Sequence, residues 1–292
     1  MLPRSFLRLI QTLSSALPVP VQRDLARALA SIQFRWSPSR RAAVLANLER
    51  IAAAGHPLLG DPVARVATAR RMFEAHHRSW LEYLSRAGSG AGAARAGYQL
   101  SGTEHLYRAL APGRGAVLTV PHIGNWEMFG PALTDLGIKV HTVTGIQLHR
   151  AVAREIRALK ARDGIEVSTP EDGFLPLLGA LRRGSVVALM ADGDVFSRSL
   201  PAQFFGREIP FPAGPAILAR RAHAPIVHGH AVRTEAGHRI TFDGMDEPNP
   251  SLSMREDLSR LTAGVARSLE RSVADNVTQW CIFRPIWSAD VA

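Results

Sequence analysis

From about residue 98 onward the sequence alternates short, β-branched apolar runs with longer segments of helical spacing. This alternation constrains the fold more than any other feature. The runs fall at 116–120, 138–144, 165–168, 185–191, 225–233 and 239–243, and helical stretches at 125–136, 147–162, 172–183 and 213–222 lie between most of them. A last helix is expected over about 253–274. Strands separated by helices of this length bury their apolar faces as a sheet with helices packed on it, the α/β class. Residues 1–85 carry a different pattern and read as wholly helical. Ser37-Pro38-Ser39 offers a cap before 40–54, and Asp61-Pro62 is an N-cap followed by Pro at the first helical position. A Gly/Ala-rich connector over 86–97 divides this helical region from an α/β domain over 98–292, and the two are expected to form one compact unit.

Composition narrows the function class. Lys plus Arg number 35 against 25 Asp plus Glu, a net charge of +10, which favours an anionic membrane surface, a phosphorylated ligand or nucleic acid. The arginines are scattered, no basic run interleaves with aromatics, and no nucleic-acid motif is present, so nucleic acid is not expected as a partner. The single Cys281 leaves no internal disulfide and no cysteine-based zinc site. Near the N-terminus the uncharged stretch 9–22 is too short to span a bilayer and is broken by Pro18 and Pro20. It also lacks a signal-peptide cleavage pattern. Leu2, Phe6, Leu9, Ile10, Leu13 and Leu17 recur at helical spacing, with Arg4 and Arg8 on the other side. Such a stripe lies in a membrane interface or packs on the protein's own core.

The chemistry concentrates in Pro121-His122-Ile123-Gly124-Asn125-Trp126-Glu127. The run ending at Val120 reads as a buried strand and Asn125 as the N-cap of the next helix. His122 therefore falls at the strand's carboxyl end, where open α/β sheets form their ligand crevice. Glu127 falls in the first helical turn, and its spacing lets the carboxylate fold back onto one imidazole nitrogen while the other takes a proton from a hydroxyl. That is a base and its orienter without a nucleophilic serine. No Gly-x-Ser-x-Gly elbow is present, and neither phosphate-binding glycine motif occurs.

The segment 116–127 closely resembles the signature of the bacterial lysophospholipid acyltransferase superfamily, in its lipid A biosynthesis branch. Further stretches agree in order: Ala191-Asp192-Gly193-Asp194 after a strand, Phe204-Phe205-Gly206 a short loop later, and Pro212-Ala213-Gly214-Pro215-Ala216 opening a helix. Gln279-Trp280-Cys281-Ile282-Phe283-Arg284-Pro285-Ile286-Trp287 then resembles the closing motif. The likeness spans about 41–287, and the Phe-Phe-Gly and Pro-Ala-Gly-Pro-Ala segments are nearest to phosphatidylinositol mannoside acyltransferases. One departure is Gly193, where a larger polar residue is expected.

The resemblance implies a glycerol-3-phosphate-acyltransferase-like mixed sheet flanked by helices. It implies acyl-CoA or acyl carrier protein as acyl donor, a membrane lipid hydroxyl as acceptor, and no further cofactor or metal. The acceptor reads first as a phosphatidylinositol mannoside-type glycolipid, then as a lipid A precursor or another lysophospholipid. The protein is expected to sit peripherally on the cytoplasmic face of a bacterial plasma membrane, with residues 1–85 as its membrane-associating region. His122 and Glu127 are the expected catalytic pair, with Arg162, Asp192 and Asn125 as substrate-binding residues. Arg162, at a helix end, suits either a phosphate or thioester clamp or simple compensation of the helix dipole. His228-Gly229-His230 puts two imidazoles on one strand face without an obvious third ligand, so hydrogen-bonded histidines are expected there. Trp280 and Trp287 suit acyl-chain contact and core packing equally.

Overall fold

The computed structural model describes residues 12, 14–88, 97–145, 150–190, 192–193 and 198–287. Strands β1 (Tyr98–Ser101), β2 (Ala116–Val120), β3 (Val140–Val143), β4 (Ile165–Ser168), β5 (Val186–Met190), β8 (Ile226–Thr234) and β9 (Gly237–Asp246) form a seven-stranded sheet in the order β1-β9-β8-β2-β5-β3-β4. The β8–β9 pair is antiparallel and the other pairings are parallel, so the sheet is mixed. Every residue of β2 is buried, as expected for a central strand covered on both faces. Its side chains alternate between two cores, with Val117 in one and Ala116, Leu118 and Val120 in the other.

Helices α4 (Thr103–Leu110) and α5 (Phe129–Asp135) contribute to one core. The larger core takes α7 (Leu175–Arg182), α8 (Gly214–Ala222), α9 (Met254–Asp275) and the N-terminal helices α1 (Val19–Trp36), α2 (Pro38–Ala53) and α3 (Pro62–Gly88). Helix α6 (Arg150–Arg162) packs beside β4. Local signals explain the helix starts. The Asp61 carboxylate accepts from the amides of Val63 and Ala64, and Ser253 and Glu256 form a reciprocal capping box at the head of α9.

The structure adds elements to the sequence expectation. Tyr98–Ser101 and Thr103–Leu110 add an edge strand and a helix that are too short for a clear periodic signal. Phe204-Phe205-Gly206 is the tip of a hairpin between β6 (Ser199–Phe204) and β7 (Arg207–Pro212), two strands absent from the sequence expectation. Phe205 (φ 47°) and Gly206 (φ 69°) are both left-handed, the conformation a two-residue hairpin turn requires. Phenylalanine is costly there, and the strained residue is held on both sides. Its amide donates to Glu270 at 2.6 Å and its carbonyl accepts from Arg50 at 3.0 Å. Leu2, Phe6, Leu9, Ile10 and Leu13 of the N-terminal stripe lie outside the described residues, as do residues 89–96 of the Gly/Ala connector.

Helix α3 is fastened to the sheet by a buried polar network. Arg233 of β8 grips Glu82 with two bonds of 2.7 and 2.8 Å and donates to Ser79 at 3.0 Å. Ser79 in turn donates to the carbonyl of Gly124 at 2.6 Å. Burial works to raise the Glu82 carboxyl, but hydrogen bonds and charge from Arg233, with His238 and Arg78 behind, hold it below the usual carboxylate range. Removing one partner of such a pair strands the other charge. Arg233→Met is expected to cost about 3–5 kcal/mol in urea denaturation, with part recovered in the Glu82→Gln double variant. A cost below about 1 kcal/mol would show the network to be dispensable.

Candidate active site

Sheet register explains how two residues far apart in sequence meet. Strands β2 and β5 are parallel neighbours, with Val120 opposite Met190. His122 and Asp192 each lie two residues past their strand's last residue, so they face one another at the sheet's carboxyl edge. The imidazole Nδ1 bonds Asp192 Oδ1 at 2.7 Å, and the His122 amide donates to Oδ2 at 2.9 Å. The Trp280 indole N–H donates to the same Oδ2 at 2.9 Å, and Arg284 donates to the Asp192 carbonyl at 2.7 Å. Burial alone would raise the Asp192 carboxyl; the charge and hydrogen bonds of His122, with the Trp280 bond, outweigh it and leave the group below its ordinary range. With Nδ1 donating to a carboxylate, Nε2 is the nitrogen left to accept a proton.

The loop around His122 is clamped from the C-terminal segment. Cys281 N donates to His122 O at 2.7 Å, Gly124 N donates to Gln279 O at 2.9 Å, and Ile123 bridges Trp280. Gly124 is obligatory here: at φ 57° a Cβ would come within 2.2 Å of the Ala231 carbonyl oxygen. Gly193 borders the imidazole, and a Cβ there would meet His122 Cε1 at 3.9 Å, ordinary contact. Glycine in place of the larger residue thus leaves that side of the ring open.

Glu127 does not fold back onto the imidazole. Helix α5 begins only at Phe129, after a 3₁₀ turn at Trp126–Met128. In that turn Trp126 takes the place against His122, with ring centroids 4.8 Å apart. The Glu127 carboxylate instead forms an ion pair with Lys160 of α6. Sequence reading missed Lys160. Its signal lay in helical spacing, because Ile156 and Lys160 stand four apart on one face of α6. Arg162, two residues further, is turned by about 200° and is exposed away from that face. Asn125 occupies the N-cap position, but its side chain makes no capping bond. It is buried and donates to Glu82 at 3.1 Å. Asn125 and Asp192 are 1% and 3% exposed and so offer little surface to a substrate.

His122, Glu127 and Lys160 line one cavity of about 230 Å³ between β2, β3, β5 and the helices α5 and α6. Its other walls are chiefly apolar, including Trp80, Phe129, Val143, Ile156 and Ile165. The remaining histidine pair has its own partners. His228 bonds Thr119 and Asp246, and His230 bonds Asp243 at 2.8 Å. No three His, Cys, Asp or Glu side chains among the described residues converge on a metal-sized site. Cys281 is buried and its thiol is pushed up to about 12 by that burial, so it stays protonated rather than nucleophilic.

A carboxylate held below its unfolded pKa contributes stability that is present above that pKa and lost as pH falls through the folded one. Trp280→Phe deletes a donor to Asp192 and raises its folded pKa. The acid limb of stability, followed by urea denaturation against pH, is expected to move to higher pH. An unmoved limb would mean the indole bond does not act on the carboxylate.

The family described as bacterial lipid A biosynthesis acyltransferase matches residues 5–289. A phosphatidylinositol mannoside acyltransferase of Mycobacterium tuberculosis (strain CDC 1551 / Oshkosh) is 29% identical over 201 residues, covering 66% of this chain and 61% of the relative. The protein of that name from Mycolicibacterium smegmatis is 29% identical over 245 residues, covering 80% of this chain and 78% of the relative. The match thus spans under two thirds of the M. tuberculosis protein's length. With nearly its whole length matched, the chain belongs to the bacterial lipid A biosynthesis acyltransferase family.

Proposed function

We propose that the protein transfers a fatty acyl group from a thioester donor, acyl-CoA or acyl carrier protein, to a hydroxyl of a membrane glycolipid. The observation that carries this reading is the His122–Asp192 pair opening onto an apolar cavity. The cavity suits a hydrocarbon chain, and the pair suits removal of a hydroxyl proton. In the proposed step the acceptor oxygen attacks the thioester carbonyl carbon while its proton passes to His122 Nε2. Asp192 holds Nδ1–H and stabilises the imidazolium, the role that spacing alone assigned to Glu127. The C–S bond then breaks, and the thiolate leaves with the proton returned from Nε2. Lys160, fixed by Glu127 at the cavity wall, supplies N–H donors to the carbonyl oxygen as it gains negative charge.

The two mycobacterial relatives favour a phosphatidylinositol mannoside-type acceptor. The family description favours a lipid A precursor as second reading. No described helix is long and apolar enough to cross a membrane. Peripheral attachment to the cytoplasmic face of the plasma membrane agrees with that and with the +10 charge. The purified protein, given acyl-CoA and each acceptor, is expected to form an acylated product that mass spectrometry detects. His122→Ala should lower the rate by about a hundredfold to ten-thousandfold, and Asp192→Asn should lower it more than Glu127→Gln. Full activity in His122→Ala would exclude the mechanism.

A further inference from the structure

The sheet edge that carries His122 has a second concave feature. Strand β8 runs parallel to β2, so its carboxyl end reaches the same edge, on the side away from β5. There a cleft of about 740 Å³ lies between α1, α3, the end of β8 and the turn before Trp280. Helix α3 separates it from the apolar cavity. Arg78 borders the cleft, and Trp80, turned by about 200° around the helix, lines the cavity.

Guanidinium groups dominate its walls. Arg71 and Arg78 share one face of α3, Arg23 comes from α1, and Arg233 stands near the end of β8. Most carboxylates nearby are already engaged. Glu82 serves Arg233 and accepts from Arg78 at 3.1 Å, and Glu74 pairs at 3.2 Å with Arg27, which lies outside the cleft lining. Arg23 and Arg71 are exposed and form no ion pair with a described residue; the exposed Glu235 of the β8–β9 turn is the carboxylate left over. Burial, and then the charge of Arg233, pull the Arg78 guanidinium below its ordinary range; Glu82 opposes this and Arg23 adds to it. Like charges gathered in this way repel one another, and an anion among them relieves the repulsion.

We propose that this cleft binds a small ligand carrying more than one phosphate, with Arg23, Arg71 and Arg78 as its donors. The planar guanidinium fork matches phosphate oxygens in pairs, and Arg71 and Arg78 stand two helical turns, about 10 Å, apart. The volume is that of a small-molecule site, roughly 300–1,000 Å³, and exceeds what a lone ion fills. One wall belongs to the catalytic clamp. The Gln279 side chain accepts from Arg233 N at 2.9 Å and donates to Arg233 O at 3.1 Å, and the Gln279 carbonyl accepts from Gly124 N at 2.9 Å. A bound ligand is thereby held beside the loop that carries His122. In acyl transfer its phosphates come from the donor, as in coenzyme A, or from the acceptor headgroup. That source rests on the function proposed above; the site does not, because binding is measured without catalysis.

Calorimetric titration of the full chain with inorganic pyrophosphate tests the site. The Arg23→Gln/Arg71→Gln double variant is expected to bind about tenfold or more weakly, with melting temperature unchanged, since both residues are exposed and unpaired. The Arg207→Gln/Arg255→Gln variant removes two exposed charges elsewhere and should bind as the unaltered protein does. An equal loss in that control would reduce the attraction to net charge and overturn the site, as would undiminished binding in the Arg23/Arg71 variant. Coenzyme A and inositol bisphosphate, titrated in parallel, separate the sources: tighter binding of the first assigns the phosphates to the donor, of the second to the acceptor. Pyrophosphate binding that depends on Arg23 and Arg71 in a protein without acyl transfer would remove the function proposed above and leave the site standing.

Discussion

The buried carboxylate of Asp192 is the interaction on which the arrangement depends. It accepts from the backbone and ring of His122 on one side and from the indole of Trp280 on the other, while Arg284 holds its carbonyl. A buried charge is costly unless its lone pairs are filled, and here three donors from two distant parts of the chain fill them. The same bonds fix the ring position of His122 and tie the C-terminal segment across the end of the sheet. Chemistry and chain closure thus share one group.

The N-terminal helices are part of this support. Glu82 and Ser79 of α3 hold Arg233 and the Gly124 carbonyl, and Asn125 donates to the same Glu82. Trp80, one residue after Ser79, lines the cavity. A helix that looks like an appendage in the sequence therefore supplies one wall of the cavity and braces the loop beside His122.

Much of this was legible in sequence, for identifiable reasons. Strands β2 and β4 were readable to the residue because short β-branched runs bounded by turn residues leave little choice. The position of His122 followed from the end of β2. The partner of its imidazole did not. Glu127 is five residues away and Asp192 seventy, and only the parallel pairing of β2 with β5 makes the distant one the neighbour. A spacing argument favours the local carboxylate because it cannot see strand order. The hairpin tip at Phe205 was hidden for another reason: a bulky residue with positive φ contradicts turn propensity and persists through contacts with Arg50 and Glu270.

The central claim is that Asp192, rather than Glu127, holds the His122 imidazole. Proton–nitrogen NMR of the histidine ring tests it most directly. The account predicts a strongly downfield Nδ1–H resonance for His122 that survives Glu127→Gln and disappears in Asp192→Asn. A resonance lost in Glu127→Gln and kept in Asp192→Asn would contradict it.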